Sequence, residues 1–333
     1  VGLYDRLSTI AAWQSDVEAR WLAVAGVEAL GTPSAEQRAV LAAGRAHVPA
    51  IKRVALAPAQ RALIGAAGPG QDGARLGATG ELWRALAPAV TAALALEPGK
   101  LGFVRADRVA FKKLGEKFGL AAALAGQLGL GDLDVYVSEG RAGVARALAA
   151  DTPTLCLGAD VARADHGPAR FALARALVLA AEATGPLLEL KDVELLWMWA
   201  AALQVAGVPV PPILAEAAAA DRNPVDERVR LLDKHWGRRD KKAFAALPAA
   251  RAIDAADLTA FRRHAAGVGN RFGLLAVGDL AIALAYLDVG RGGRAVVDSP
   301  LALELTAWSV GAAHLALRHE LGYELGADRG GGA

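Results

Sequence analysis

Sulfur is almost absent from this 333-residue chain, which holds one cysteine and one methionine, and aromatic residues make up only 5% of it. The lone Cys156 excludes an intramolecular disulfide and fits a reducing compartment. Its setting, Thr154-Leu155-Cys156-Leu157, predicts a buried strand rather than a reactive thiol, because apolar surroundings keep a thiol protonated. Neither sign of charge dominates: 37 basic against 35 acidic residues leave +2, too small a surplus to argue for a nucleic-acid partner. The start lacks a basic segment followed by an apolar run, so no signal peptide is read there and a cytoplasmic location is expected. Long apolar runs are scarce as well. Leu195 to Leu214 carries no charge, but Gln204, Gly207 and Pro209-Val210-Pro211-Pro212 interrupt it. A helix ending near Val208 would be too short to span a bilayer, so a buried helix is expected and membrane insertion is not.

What is present points to helices. Hydrophobic residues reach 54% and charged residues 22%, enough for a substantial core and incompatible with global disorder. The apolar share leans on Ala and Leu, good helix formers whose small side chains pack in close hairpins. Abundant Arg and Ala with little Lys associates the chain with a high-GC bacterial source.

Apolar residues from Tyr4 to Leu30 fall at helical spacing, with Trp13 and Trp21 on one face. Gly31-Thr32-Pro33-Ser34 stops that helix, and Ser34 with Gln37 reads as a capping box opening the next, to about Ala46. A short helix is expected from Pro58 to Ala66, a loop over Gly68 to Gly80, and another helix from Leu82 to Leu96. This arrangement resembles tetratricopeptide-type helical hairpins, although no period repeats. Further on, a helix is predicted over Arg108 to Leu128, then two strands, Leu133 to Ser138 and Thr154 to Gly158, paired as an antiparallel hairpin. The segment Pro168 to Thr184 is apolar nearly all round and should be a central helix. Glu189 to Val208, Pro224 to Trp236, Arg239 to Leu247, Asp254 to Gly267, Arg271 to Leu287 and Pro300 to Leu325 complete the helices, with a disordered tail from Gly326.

A strand pair feeding a buried helix, followed by a helix with Asn270-Arg271-Phe272-Gly273-Leu274, resembles the M48 family of zinc peptidases. In that family the buried helix bears His-Glu-x-x-His, two zinc ligands on one face and a Glu that activates water, and a later element supplies the third ligand. Carried onto this chain, the ligand pair falls at Arg175 and Leu179, the catalytic Glu at Ala176 and the third ligand at Ala266. None of these can do the family's chemistry. A more specific similarity is to the C-terminal region of certain bacterial tetratricopeptide-repeat proteins. It rests on Val268 to Leu280, including Gly273-Leu274-Leu275 and Gly278-Asp279-Leu280, and on Leu317-Arg318-His319-Glu320-Leu321-Gly322.

The resemblance implies a mainly α fold with a small antiparallel β-hairpin: a helical-hairpin region over residues 1–97, a degenerate M48-like domain over 98–325, and the tail 326–333. It implies a non-catalytic protein-interaction or scaffold module without cofactor or metal. The alternatives are a zinc peptidase or hydrolase with unrecognised ligands and a sensor of a small anion. Arg175, Asn270, Arg271 and Asp279 are the candidate binding residues, expected to converge on the former active-site region, where a buried ion pair replaces the metal.

Four other patterns carry little chemistry. His319-Glu320-Leu321-Gly322-Tyr323 misses the zinc motif by one residue, and Glu324 is too near in sequence to approach as an independent ligand. His47, His166, His235, His264 and His314 show no ligand spacing. The basic run Lys234, His235, Trp236, Arg238, Arg239, Lys241 and Lys242 lies beside Asp233 and Asp240 and reads as a solvated loop, while Gly290-Arg291-Gly292-Gly293-Arg294, with no preceding strand and no Lys-Ser/Thr ending, reads as a flexible connection rather than a phosphate loop.

Overall fold

The computed structural model describes residues 1–47, 51–52, 54–68, 70–220, 222–289 and 293–325. The tail and the Gly290–Gly292 part of the expected loop lie outside the described residues. The N-terminal helices are α1 (Gly2–Trp13), α2 (Val17–Leu30), α3 (Ala35–Ala46), α4 (Pro58–Ile64) and α5 (Gly73–Ala93). The single helix expected over Tyr4 to Leu30 is broken at Ser15, which has φ +57°, and restarts when Asp16 caps the Ala19 amide. Trp13 therefore ends on the surface while Trp21 is buried. The capping box at Ser34 and Gln37 forms as expected. α5 starts two turns before the sequence suggested, because Asp72 caps Ala74 and Arg75 in spite of the glycines that follow.

Next come β1 (Arg108–Val109), α6 (Phe111–Lys117), α7 (Gly119–Gln127), β2 (Asp134–Ser138), β3 (Ala145–Leu148) and β4 (Thr154–Gly158). The expected hairpin is corrected here. β2 and β4 pair parallel, Val135 opposite Leu155, and β3 pairs antiparallel to β4, in the order β1-β2-β4-β3. The chain reverses twice between β2 and β4, and the hidden return strand Ala-Arg-Ala-Leu has no β-branched or aromatic residue to announce it. β4 is buried along its whole length, and burial pushes the Cys156 thiol up to about 12.

From β4 the chain enters α8 (Ala159–Arg163) and α9 (Gly167–Ala181), followed by α10 (Gly185–Glu189), α11 (Asp192–Ala206), α12 (Pro212–Ala220), α13 (Arg222–His235) and α14 (Arg238–Ala246). Then α15 (Ala255–Val277), α16 (Leu280–Tyr286), α17 (Gly293–Val297), α18 (Pro300–Ser309) and α19 (Ala312–Leu321) close the order. α15 is one helix through Gly267, Gly269 and Gly273, where two were expected; it stops at Gly278, φ +67°. None of the described helices is long and apolar enough to cross a membrane.

α9 is buried on almost every side, against the sheet, α7 and α15. A second core gathers α5, α11, α13 and α14 around Trp83 and Trp199, whose rings stack at 6.1 Å. Contacts cross residue 97 freely. Trp83 Nε1 donates to Ala183 O, the Tyr4 hydroxyl donates to Thr306 O, and Arg318 pairs with Glu18.

Candidate functional site

α9 and α15 cross where Gly269 and Gly273 of α15 receive the larger side chains Phe171, Arg175 and Leu179 of α9. A Cβ placed at Gly269 would stand 3.2 Å from Arg175 Cγ and 3.3 Å from Leu179 Cδ2. One placed at Gly273 would stand 2.8 Å from Phe171 Cε2. Arg175 and Leu179 thus face the helix bearing the Asn-Arg-x-Gly sequence. Arg175 Nε donates to Asn270 Oδ1 at 3.1 Å, and desolvation lowers the guanidinium from its ordinary pKa. Asn270 is buried, and its Nδ2 has no partner among the described residues. The pair fills the crossing with a neutral acceptor where a metal site would place anionic or imidazole donors. Among the described residues no three His, Cys, Asp or Glu side chains come close enough to hold a metal.

Of the four candidate residues, the structure brings together only Arg175 and Asn270. Arg271 turns the other way, to the turn after α4: its Nη1 donates to Ile64 O at 2.6 Å and Ala66 O at 2.8 Å, and its Nη2 to Glu304 Oε1 at 2.7 Å. Asp279 lies beyond the end of α15, accepting from the Ile282 amide at 3.1 Å and from Arg45 Nε at 2.7 Å. The expected convergence is corrected accordingly. A buried ion pair does form at Arg271, with Glu304 of α18 rather than with another of the four candidates. Sequence reasoning missed Glu304, although a single acid in the apolar run of α18 was the available signal.

His319 is exposed and pairs with Glu324, Nδ1 to Oε1 at 2.8 Å, because Gly322 in a left-handed turn folds Glu324 back on it. In the basic run, Lys241 pairs with Asp233 at 2.6 Å, and Trp236 is buried edge-on to Phe244, so it cannot stack on a ligand.

Beside the crossing lies a cleft of about 380 Å³. α4 and the first half of α5 form one wall; Val178 and Ala181 of α9 and Phe261, His264, Ala265 and Val268 of α15 form the other. Arg271 holds the turn that closes α4 against it. The His264 Nδ1 is buried without a partner among the described residues, and desolvation, with the charge of Arg271, holds the imidazole down to about 4. No protein-family model matches the chain, and no curated protein or solved structure is significantly similar to it.

Proposed function

We propose that the chain is a non-catalytic module that docks a protein partner, built on a scaffold like that of a zinc peptidase whose metal site has been lost. The observation that carries the reading is the crossing of α9 and α15, where Arg175 donates to Asn270 and packs with Leu179 against Gly269. The resemblance puts the ligand pair at Arg175 and Leu179, the base at Ala176 and the third ligand at Ala266, none of them a zinc-ligating or basic side chain of the family's kind. A carboxamide and a guanidinium neither hold zinc nor activate water. The docking part is supported by α1. Leu3 and Ile10 are exposed on it, and Trp13, at its end, is 81% exposed, all within one stripe. A large apolar side chain left in water beside others marks a binding surface more often than a structural need. The partner that fits is a protein offering an apolar helical face.

The catalytic half is tested by zinc analysis of protein purified without added metal, alongside a casein-hydrolysis assay. Near-stoichiometric zinc that disappears in His319→Ala, or hydrolysis abolished by a chelator, would overturn the reading. The docking half is tested with a partner identified from the host and then reconstituted from purified components. Trp13→Asp should weaken that binding at least tenfold without lowering the melting temperature; unchanged binding would refute the α1 surface.

A further inference from the structure

The cleft beside α5 has a construction that the packing of the fold does not require. Its inner wall is Ile64, Leu76, Leu128, Val178, Phe261 and Ala265, an apolar lining each at most 7% exposed, beside a space that the glycine face of α5 leaves open. On α5 the facing positions are Gly73, Gly77 and Gly80, spaced four and three residues apart along one side of the helix. Glycine weakens a helix interior, and it is normally retained for a turn or for close approach of another backbone. Neither applies at Gly77: it lies within a regular helix, and a Cβ placed there would meet nothing within 4 Å. A Cβ at Gly73 would meet only Ala67, at 3.9 Å. Missing side chains at these two positions widen the cleft.

The mouth is cationic. Arg61 and Arg84 line it with a single acid, Glu182, which stands 3.9 Å from Arg84. Arg61 Nη2 donates to Leu128 O at 3.0 Å, and the guanidinium makes no ion pair among the described residues. Size decides the class of occupant. One turn of helix, about 10 Å wide and 5.4 Å long, would fill the whole volume, whereas small-molecule sites begin at about 300 Å³.

We propose that this cleft binds a small amphipathic carboxylic acid. Its aliphatic or aromatic body lies against Ile64, Val178 and Phe261 over the glycine face of α5, and its carboxylate is held at the mouth by Arg61 and Arg84. One net positive charge at the mouth suits a monoanion better than a doubly charged phosphate. The site is separate from the α1 surface and goes beyond the docking role.

The test uses the full chain, thermal melts followed by intrinsic tryptophan fluorescence, and octanoate and benzoate as probes, with 1-octanol and inorganic phosphate as controls. At least one of the acids should raise the melting temperature by a few degrees at saturation. For octanoate, the neutral alcohol should need at least tenfold higher concentration, and phosphate should have no effect. Gly77→Leu should melt no lower than the unsubstituted chain yet lose the response, with Gly77→Ala as a gentler filling that weakens it. Arg61→Gln should weaken the acid tenfold and leave the alcohol unchanged. Absence of any shift with both acids, an equal shift with phosphate, or a full response retained by Gly77→Leu would each overturn the proposal.

Discussion

At Arg271 one guanidinium joins three elements: it bonds two carbonyls at the end of α4 and the Glu304 carboxylate on α18 from its own place on α15. Removing one member of such a pair leaves the other charge buried and uncompensated. Arg271→Met should therefore cost about 3–5 kcal/mol in urea unfolding. Arg271→Met combined with Glu304→Leu should recover a large part of that loss, since two apolar groups need no counter-charge. A double variant no more stable than the single one would contradict this. Two histidines, the fully buried His314 and the half-buried His264 with its buried Nδ1, contribute to the response to acid. Desolvation, reinforced by Arg271 at His264 and by Arg318 at His314, holds their pKa values at about 4 and about 3, below the ordinary 6.5. The unfolded chain takes up both protons as pH falls below 6.5 and the folded chain does not. Their contribution is thus intact above 6.5 and is lost on acidification, down to about 4 for His264 and about 3 for His314. Each adds a slope of about 1.4 kcal/mol per pH unit inside its window. Urea midpoints measured between pH 7 and pH 5 should fall, and His264→Gln should flatten the dependence by one proton.

Glycine in α15 works by its lack of a side chain, and this explains both a prediction and a misreading. Gly273→Ala gains about 1 kcal/mol of helix propensity but drives a methyl into the Phe171 ring, where overpacking costs about 1–3 kcal/mol. A net fall in melting temperature is expected, in contrast to Gly77→Ala on α5. Sequence periodicity located α3, α9, α11, α13 and α14 to within a few residues because their apolar spacing and caps agree. It divided α15 and shortened α5 because glycine is ambiguous: the letter that ends a helix also lets two helices touch or leaves a space open. The site was partly legible. The Asn270-Arg271 motif lies on α15, but neighbouring helical residues point about 100° apart, and here Asn270 turns to Arg175 while Arg271 turns to the end of α4 and Glu304. Glu304 and the cleft depend on tertiary placement that no spacing in the chain records.

On the scale of the molecule, the core around Trp83 and Trp199 draws α5 from before residue 97 and α11 to α14 from after it. A chain shortened to residues 98–325 would expose the face of Trp199 that Trp83 covers. It is expected to melt without a sharp transition in calorimetry, whereas the full chain should show one cooperative peak; a cooperative fragment of undiminished stability would show that the first helices are dispensable. The ion pair between Glu18 and the fully buried Arg318 has a further consequence, in the order of events. Its partners are separated by nearly the whole length of the chain, and the entropy of closing a loop grows with its length. During synthesis α2 leaves the ribosome long before α19 exists, so Glu18 waits in water until the final helices are made. The pair is then a late step in folding: α1 and α2 can pack on each other early, while the Glu18 carboxylate gains its guanidinium partner only once α19 has been made.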